Sequence, residues 1–428
     1  MSKVKLCRLT EVCGYGTIVP YMTSLDNTQK SAQRRRRFFL SLPPEHDVLI
    51  NRSIWFLALF GLLMIASASM GIADGRTWYL LFTVAKQVVF LTGGLAAMNW
   101  LAGHFNTRYL QSENFPMLAI LMGILLLACL LFPAVGGAKA WIRVPISSVD
   151  ISIQPSEFSK IMIILVVAAY CGDIRRRFPT DWAMLQRPAI FVVGYMLIVL
   201  ILQRDLGSMA VMAVIGFVCV EIPAHPQMRK FQRGLATVVG SLFALALFML
   251  TPWGEGLINH LPLQKYQINR ILSSINPFVD QYNTGYQLIN GLVSFATGGL
   301  TGLGFGNSVR KYTRFPAANT DFILAIVVEE LGYVGFLMIF IPYCLIVWRL
   351  LQYAWKMKSE KGRIILTGTA MYIVVHSIFN IGGVTGLIPL TGVPLLMISA
   401  GGSSTLSLMC AIGIAQAVIC QYKRGEIE

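Results

Sequence analysis

Apolar residues in this chain neither alternate nor recur at helical spacing against a polar face. They come in long runs, separated by short polar or basic stretches. Runs of this kind suit helices surrounded by lipid and by other helices, not the amphipathic helices of a soluble surface. Runs long enough to cross a bilayer begin near Val48, Tyr79, Pro116, Phe158, Pro188, Leu206, Gly234, Phe322, Ile364 and Leu395. The pattern predicts an all-α polytopic membrane protein with ten transmembrane helices. Gly inside long apolar runs, in place of short alternating segments, argues against a β-barrel.

Composition agrees with this reading. A hydrophobic fraction of 55% against 13% charged residues, with a mean hydropathy of +0.64, leaves too little polar surface for a soluble protein of this length. Residues 1–45 hold no apolar core long enough for a signal peptide, and they carry the run Arg34 to Arg37 ahead of Pro43 and Pro44. A basic, flexible cytoplasmic tail is expected over 1–45, and a membrane domain over 46–428. An even number of crossings puts both termini on one side. Placing them in the cytoplasm leaves most of the 35 Lys and Arg residues inside, including Arg175 to Arg177, Arg187, Arg229, Lys230, Arg233 and the stretch from Arg349 to Arg363. That asymmetry predicts a multi-pass protein of the cytoplasmic (inner) membrane. It also accounts for the net charge of +15, so membrane lipids, and no nucleic acid, are the expected contacts. The eight cysteines show neither metal-ligand nor disulfide spacing and read as small core residues.

With this topology residues 252–320 form a large extracytoplasmic loop between helices 7 and 8. Its carboxylates are Glu255 and Asp280, set against Lys265, Arg270, Arg310, Lys311 and Arg314. Asp280 lies in NPFVDQYNTGYQ, a composition that makes surface turns. A carboxylate among cations at an outer membrane face also suits transfer to or from a phosphorylated lipid: the cations hold phosphate, and the carboxylate takes a proton from an attacking hydroxyl. Spacing leaves both readings open.

Ionisable residues inside apolar segments are costly and need partners. Glu157 and Lys160, three residues apart, share a helix face and are expected either to pair or to meet substrate. Glu329 and Glu330 are expected to pair inward, to line a polar cavity or to hold a buried cation. Asp205 and Asp321 each precede a span and suit N-terminal caps. GGAKAWIRVP, QPSE, QRDLGS and TGLIPLTGVPLLMISAGGSS fall on the outer side with the loop. Gly and Pro at this density break helices, which is tolerated at membrane depth where the backbone lines a cavity.

The motifs GGAKAW, QPSEFSK, QRDLGS, NPFVDQYNTGYQLI, GGLTGLGFGNS, TDFILAIVVEELG and NIGGVTGLIPLTGVPL resemble, in order and spacing, the SEDS (shape, elongation, division and sporulation) family, which includes FtsW, RodA and SpoVE. The resemblance runs from about Asp47 to Val418, and GFGNSVRK is closer to the FtsW branch. It implies a peptidoglycan glycosyltransferase that polymerises lipid II outside the membrane, releases undecaprenyl pyrophosphate, and works with a class B penicillin-binding protein and other division or elongation proteins. It also implies that Asp280 is the catalytic aspartate. A pyrophosphate leaves readily, so one base and a set of cations would suffice. Arg270, Arg310, Lys311, Arg314, Lys139 and Arg143 are the candidates for holding the phosphates. A divalent cation (Mg or Mn) near Asp280 is compatible with this chemistry, although the sequence shows no metal-ligand set.

The chain departs from the family pattern at five outer-side positions. Ala140 stands where GGAxRW has Arg, Arg204 where QPDLG has Pro, Ala317 and Asn319 where LPEAHTDFI has Glu and His, and Ala400 where SYGGSS has Tyr. Two rival functions fit the same architecture: a flippase that moves lipid II without making a bond, and a non-catalytic scaffold that activates the penicillin-binding protein.

Overall fold

Every one of the ten apolar runs carries a helix in the computed structural model, which describes residues 41–73, 77–134, 137–146, 149–174, 177–249, 251, 265–313 and 315–428. In chain order the helices are α1 (Val48–Ala73), α2 (Thr77–His104), α3 (Asn114–Ala128), α4 (Pro155–Cys171), α5 (Asp181–Leu197), α6 (Leu206–Glu221), α7 (Arg229–Met249), α8 (Lys265–Ile275), α9 (Tyr286–Gly298), α10 (Ile323–Lys356), α11 (Glu360–Thr385) and α12 (Gly402–Lys423). Eight helices among the described residues are long and apolar enough to cross a membrane. The protein is an integral membrane protein. The shorter α4 and α6, 17 and 16 residues long, pack against each other and against α11 at the centre. The expected tail lies, through residue 40, outside the described residues, as do residues 252–264, Glu255 among them.

Local chemistry starts the helices where they begin. Pro155 occupies the first turn of α4, where its missing N–H is no loss. Thr180 caps α5 by accepting from the Ala183 N–H at 3.2 Å, and Ser359 caps α11 through the Gly362 N–H at 3.4 Å. Membrane solvation replaces an amphipathic pattern on the outer helices. On α7 only Gln232 is buried, and its amide donates to the carbonyls of Val220 and Pro223, both at 2.9 Å.

One sequence expectation needs correction. The apolar run from Leu395 does not begin a helix: residues 387–401 are irregular, and α12 starts only at Gly402. Pro389, Gly392 and Pro394 keep the stretch ahead of the run irregular, and inside the run Met397 takes a left-handed φ of +65°, which an α-helix does not accommodate. The segment nevertheless buries Leu395, Leu396, Met397 and Ile398 almost completely, as a plug between helices. The all-α class holds, and beside the helices the described residues contain one small two-stranded antiparallel hairpin, β1 (Ile142–Ile146) with β2 (Val149–Ile153), in which Ile142 faces Ile153. The signal for it was present: β-branched residues at 149, 151 and 153 alternate with Asp150 and Ser152.

Helix α10 is broken at Gly332, whose φ is +65°. The loop after α9 fills the break. Leu303 and Gly304 donate their N–H groups to the carbonyls of Glu329 and Glu330, both at 2.9 Å, while Tyr333 and Val334 donate to Gly299 and Leu300 at 2.9 and 3.3 Å. Backbone groups freed inside a membrane protein are thus paired from a neighbouring segment. The approach is close enough that a Cβ on Gly302, where φ is +76°, would overlap the Glu330 carbonyl. Gly302→Ala should therefore combine left-handed strain with overpacking and cost about 3 kcal/mol or more. Thermal unfolding of the purified variant in detergent checks this, and a melting curve like that of the wild type would refute the docking.

Candidate functional site

The broken, Gly- and Pro-rich segments converge on one cavity of about 420 Å3. Its wall includes Trp141 from the start of the hairpin, Gln154 and Glu157 from the N-terminus of α4, Arg204 and Asp205 ahead of α6, Arg270 on α8, Asp321 ahead of α10, and the plug from Pro389 to Pro394. Lys86 reaches the same wall from α2. The cavity therefore has both signs of charge on its lining.

The acids are tied into the wall itself. Asp205 caps α6, accepting from the Ser208 N–H at 3.0 Å, and its second oxygen accepts from the Gln154 amide at 2.9 Å. Asp321 differs from its expected role. Phe322 holds the N-cap position of α10, without a side-chain cap, and Asp321 turns into the cavity wall beside Arg270, where both approach Gly392. Burial pushes the Asp321 carboxyl up to about 7, against the lowering pull of the Arg270 guanidinium. Arg270 also donates to the Leu390 carbonyl at 3.3 Å.

Glu157 and Lys160 form an ion pair at 2.6 Å, almost wholly buried. Sequence reasoning reached the pair but missed its partners. Lys160 lies 3.0 Å from His376 Nε2, and the Tyr372 hydroxyl donates to Glu157 at 3.0 Å and lies 2.5 Å from Ser407. Tyr372 and His376 lie four apart on α11 and so share a face. The network stitches α4 to α11 and α12 beneath the cavity.

A second buried cluster corrects one assignment, that of Lys311, and realises the inward pairing expected of Glu329 and Glu330. Lys311, expected to hold phosphate, is fully buried and spends its donors on Glu330 at 2.8 Å, the Ser67 hydroxyl at 3.0 Å and the Gly306 carbonyl at 2.7 Å. Glu330 also accepts from Ser67 and from the Gly306 N–H at 3.0 Å. Glu329 accepts from Ser308 at 2.5 Å and Ser294 at 3.4 Å. Neither glutamate faces the cavity lining. Together they fasten α1, α9 and the following loop to α10. A buried charge must be fully answered, and here every partner comes from within the protein.

Asp280 closes a short turn, Pro277–Asp280, between α8 and α9. Its carboxylate accepts from the Thr284 N–H at 3.2 Å, the Thr284 hydroxyl at 3.1 Å and the Asn283 amide at 3.0 Å. The bond from the Thr284 backbone, with the Asn283 amide next, holds the carboxyl below its ordinary value. No ion pair joins Asp280 to another described residue, and Asp280 does not line the cavity. What links it to the cavity is α8, which carries Arg270 on the wall ten residues earlier in the chain. Lys139 is exposed, while Arg143 and Arg310 are half-buried. Arg314 lies outside the described residues. Of the cavity residues not named as candidates, Lys86 stands in no motif, while Trp141 and Ser403 lie in the Gly-rich outer segments, and only the convergence of those segments brings them to the wall.

The sequence matches the cell cycle protein family of FtsW, RodA and SpoVE over residues 48–424. It is 31% identical over 372 residues to stage V sporulation protein E of Bacillus subtilis, covering 86% of this chain and 95% of that protein. It is likewise 31% identical over 365 residues to a probable peptidoglycan glycosyltransferase FtsW of Coxiella burnetii, covering 84% and 92%. In fold it is similar to a chain of a peptidoglycan synthase complex that coordinates polymerisation and crosslinking, with a TM-score of 0.62 at 24% identity over 88% of this chain and 98% of that one. A variant of the rod shape determining protein RodA of Thermus thermophilus superposes with a TM-score of 0.59 at 24% identity, over 88% of this chain and 98% of RodA. The match along nearly the whole membrane domain, together with relatives of this identity and coverage, shows that the chain belongs to the FtsW/RodA/SpoVE family of cell cycle proteins.

Proposed function

We propose that this protein is a peptidoglycan glycosyltransferase that polymerises lipid II on the outer face of the cytoplasmic membrane. Ten crossings, both termini in the cytoplasm and an outer segment between the seventh and eighth crossings complete the reading. The observation that carries it is the unit α8–turn–α9, which sets an ionised, solvent-accessible carboxylate, Asp280, at the end of a helix whose Arg270 stands on the cavity wall. Asp280 takes the proton of the acceptor sugar hydroxyl as that oxygen attacks the anomeric carbon of the donor. The lipid pyrophosphate leaves with its bonding electrons, and Arg270 and the other cavity cations answer its charge. The partner is a class B penicillin-binding protein. Among the described residues no three His, Cys, Asp or Glu side chains gather to hold a metal.

Purified protein with its penicillin-binding protein partner is expected to convert lipid II into glycan chains visible on a gel. A flippase would move lipid II across proteoliposomes without polymer, and a scaffold would do neither. The pH profile supplies a further check. Because the Asp280 carboxyl is held low, the base stays ionised through neutral pH, and the acid limb of kcat/KM should fall below the ordinary carboxylate value of 3.8. A limb centred above pH 5 would assign the base to another group.

A further inference from the structure

Carbonyls, not N–H groups, hold the cavity side of the plug. Pro389 and Pro394 have no N–H, and among the described residues no backbone N–H from 390 to 393 donates a hydrogen bond. The limb is tied at three carbonyls instead. Leu390 accepts from Arg270 at 3.3 Å, Val393 accepts from the Asn380 amide at 2.9 Å, and Pro394 lies 3.3 Å from His376 Nδ1. Thr391 to Pro394 line the cavity, so the groups that fix these carbonyls fix that part of its wall.

Two of the three ties come from α11. Tyr372, His376 and Asn380 stand four apart and share a face of that helix. The Asn380 amide also donates to the Asp321 carbonyl at 2.8 Å. His376 is fully buried, with its ring edge-on to Tyr372 at 4.7 Å. Its two nitrogens meet opposite kinds of partner. Nε2 lies 3.0 Å from Lys160 Nζ, and an ammonium offers only donors, so Nε2 accepts. Nδ1 therefore carries the proton and donates to the Pro394 carbonyl, which can only accept. The Glu157 carboxylate, 3.8 Å from Nε2, is beyond hydrogen-bond reach and is engaged by Lys160 and Tyr372. One form of the ring, neutral and protonated on Nδ1, satisfies both contacts.

We infer that His376 is a positioning residue: as the neutral Nδ1–H imidazole it fastens the cavity side of the plug to the Glu157–Lys160 pair of α4. His376 does not itself line the cavity, whereas Glu157 and Pro394 do. It acts through them, holding an acid and a backbone turn from distant parts of the chain at one spacing on the wall. The kinetic consequence rests on the proposed glycosyltransferase reading; the structural one does not.

The test is hydrogen–deuterium exchange of the full-length protein in detergent, read on residues 395–400 behind the tie. His376→Leu should speed exchange there about fivefold, as loss of one hydrogen bond does, and leave α2 and α10 at the wild-type rate. His376→Gln should exchange like the wild type, because an amide also sets an acceptor beside a donor. In lipid II polymerisation with the partner, the Leu variant should raise KM about fivefold at unchanged kcat, the mark of lost uniform binding, and Gln should restore it. The tautomer is read without the Leu variant and so survives its misfolding. NMR of protein carrying isotopically labelled histidine should show, among the five histidines, a ring protonated on Nδ1 alone that disappears in the Gln variant. An imidazolium or an Nε2–H ring at this position overturns the inference. So do wild-type exchange in Leu, equal acceleration in Leu and Gln, or acceleration spread over all the helices. A Leu variant with a loosened plug and a wild-type KM overturns the positioning role and leaves the glycosyltransferase reading intact. The expected exchange pattern in a protein whose wild type makes no glycan supports the plug contact and defeats that reading instead.

Discussion

Replacement of Asp280 by alanine is expected to abolish glycan chains on the gel, with a fall in kcat of about 10^2 to 10^4, the range for loss of a general base. Lipid II binding and the melting temperature in detergent should stay close to wild type. The reason is local: among the described residues the Asp280 side chain bonds only to its near neighbours Asn283 and Thr284. Cavity cations are untouched by the change. Asp280→Asn should be equally inactive, because the amide retains the turn's shape but cannot accept the acceptor's proton. Chains of normal length and yield from either variant would remove Asp280 from the mechanism.

Lys311 gives the second large effect, of a different kind. Lys311→Met removes one member of a pair whose side chains are both fully buried and leaves the Glu330 carboxylate without its counter-charge. Breaking such a pair typically costs about 3–5 kcal/mol. We expect most of this variant to be lost as aggregate on gel filtration from detergent extracts. Adding Glu330→Gln should recover much of the folded fraction, because glutamine still accepts from Ser67 and the Gly306 N–H with no charge to bury. Were Lys311 a phosphate ligand, the single variant would instead fold normally and fail only in substrate binding. That outcome would restore the expectation drawn from the sequence.

The contrast between these two residues shows what a sequence displays and what it conceals. Hydropathy made the helices legible, since membrane solvation acts on composition along a run and needs no knowledge of neighbours. It failed at Leu395, where the same apolar composition fills a plug between helices. Asp280 and Lys311 both looked like groups of a charged outer loop, because a one-dimensional string carries charge but not depth. Only pairing with Glu330, nineteen positions away in the chain, reveals that Lys311 is structural. The Glu157–Lys160 pair was legible because helical periodicity sets both on one face. Its continuation to His376 and Tyr372 depends on how α4 meets α11, which periodicity does not encode.

The break in α10 also bears on how the chain comes to be assembled. Ribosomes deliver α9 and its loop before α10 exists, so the carbonyls of Gly299 and Leu300 and the N–H groups of Leu303 and Gly304 emerge without their final partners. With 13 residues, α9 is too short to cross a bilayer alone. It must stay with water until α10 has entered the membrane and kinked at Gly332. The segment bearing Asp280 is therefore among the last to seat, and a nascent chain halted before α10 would hold every cation of the cavity while its Asp280 turn still lacked an anchored neighbour.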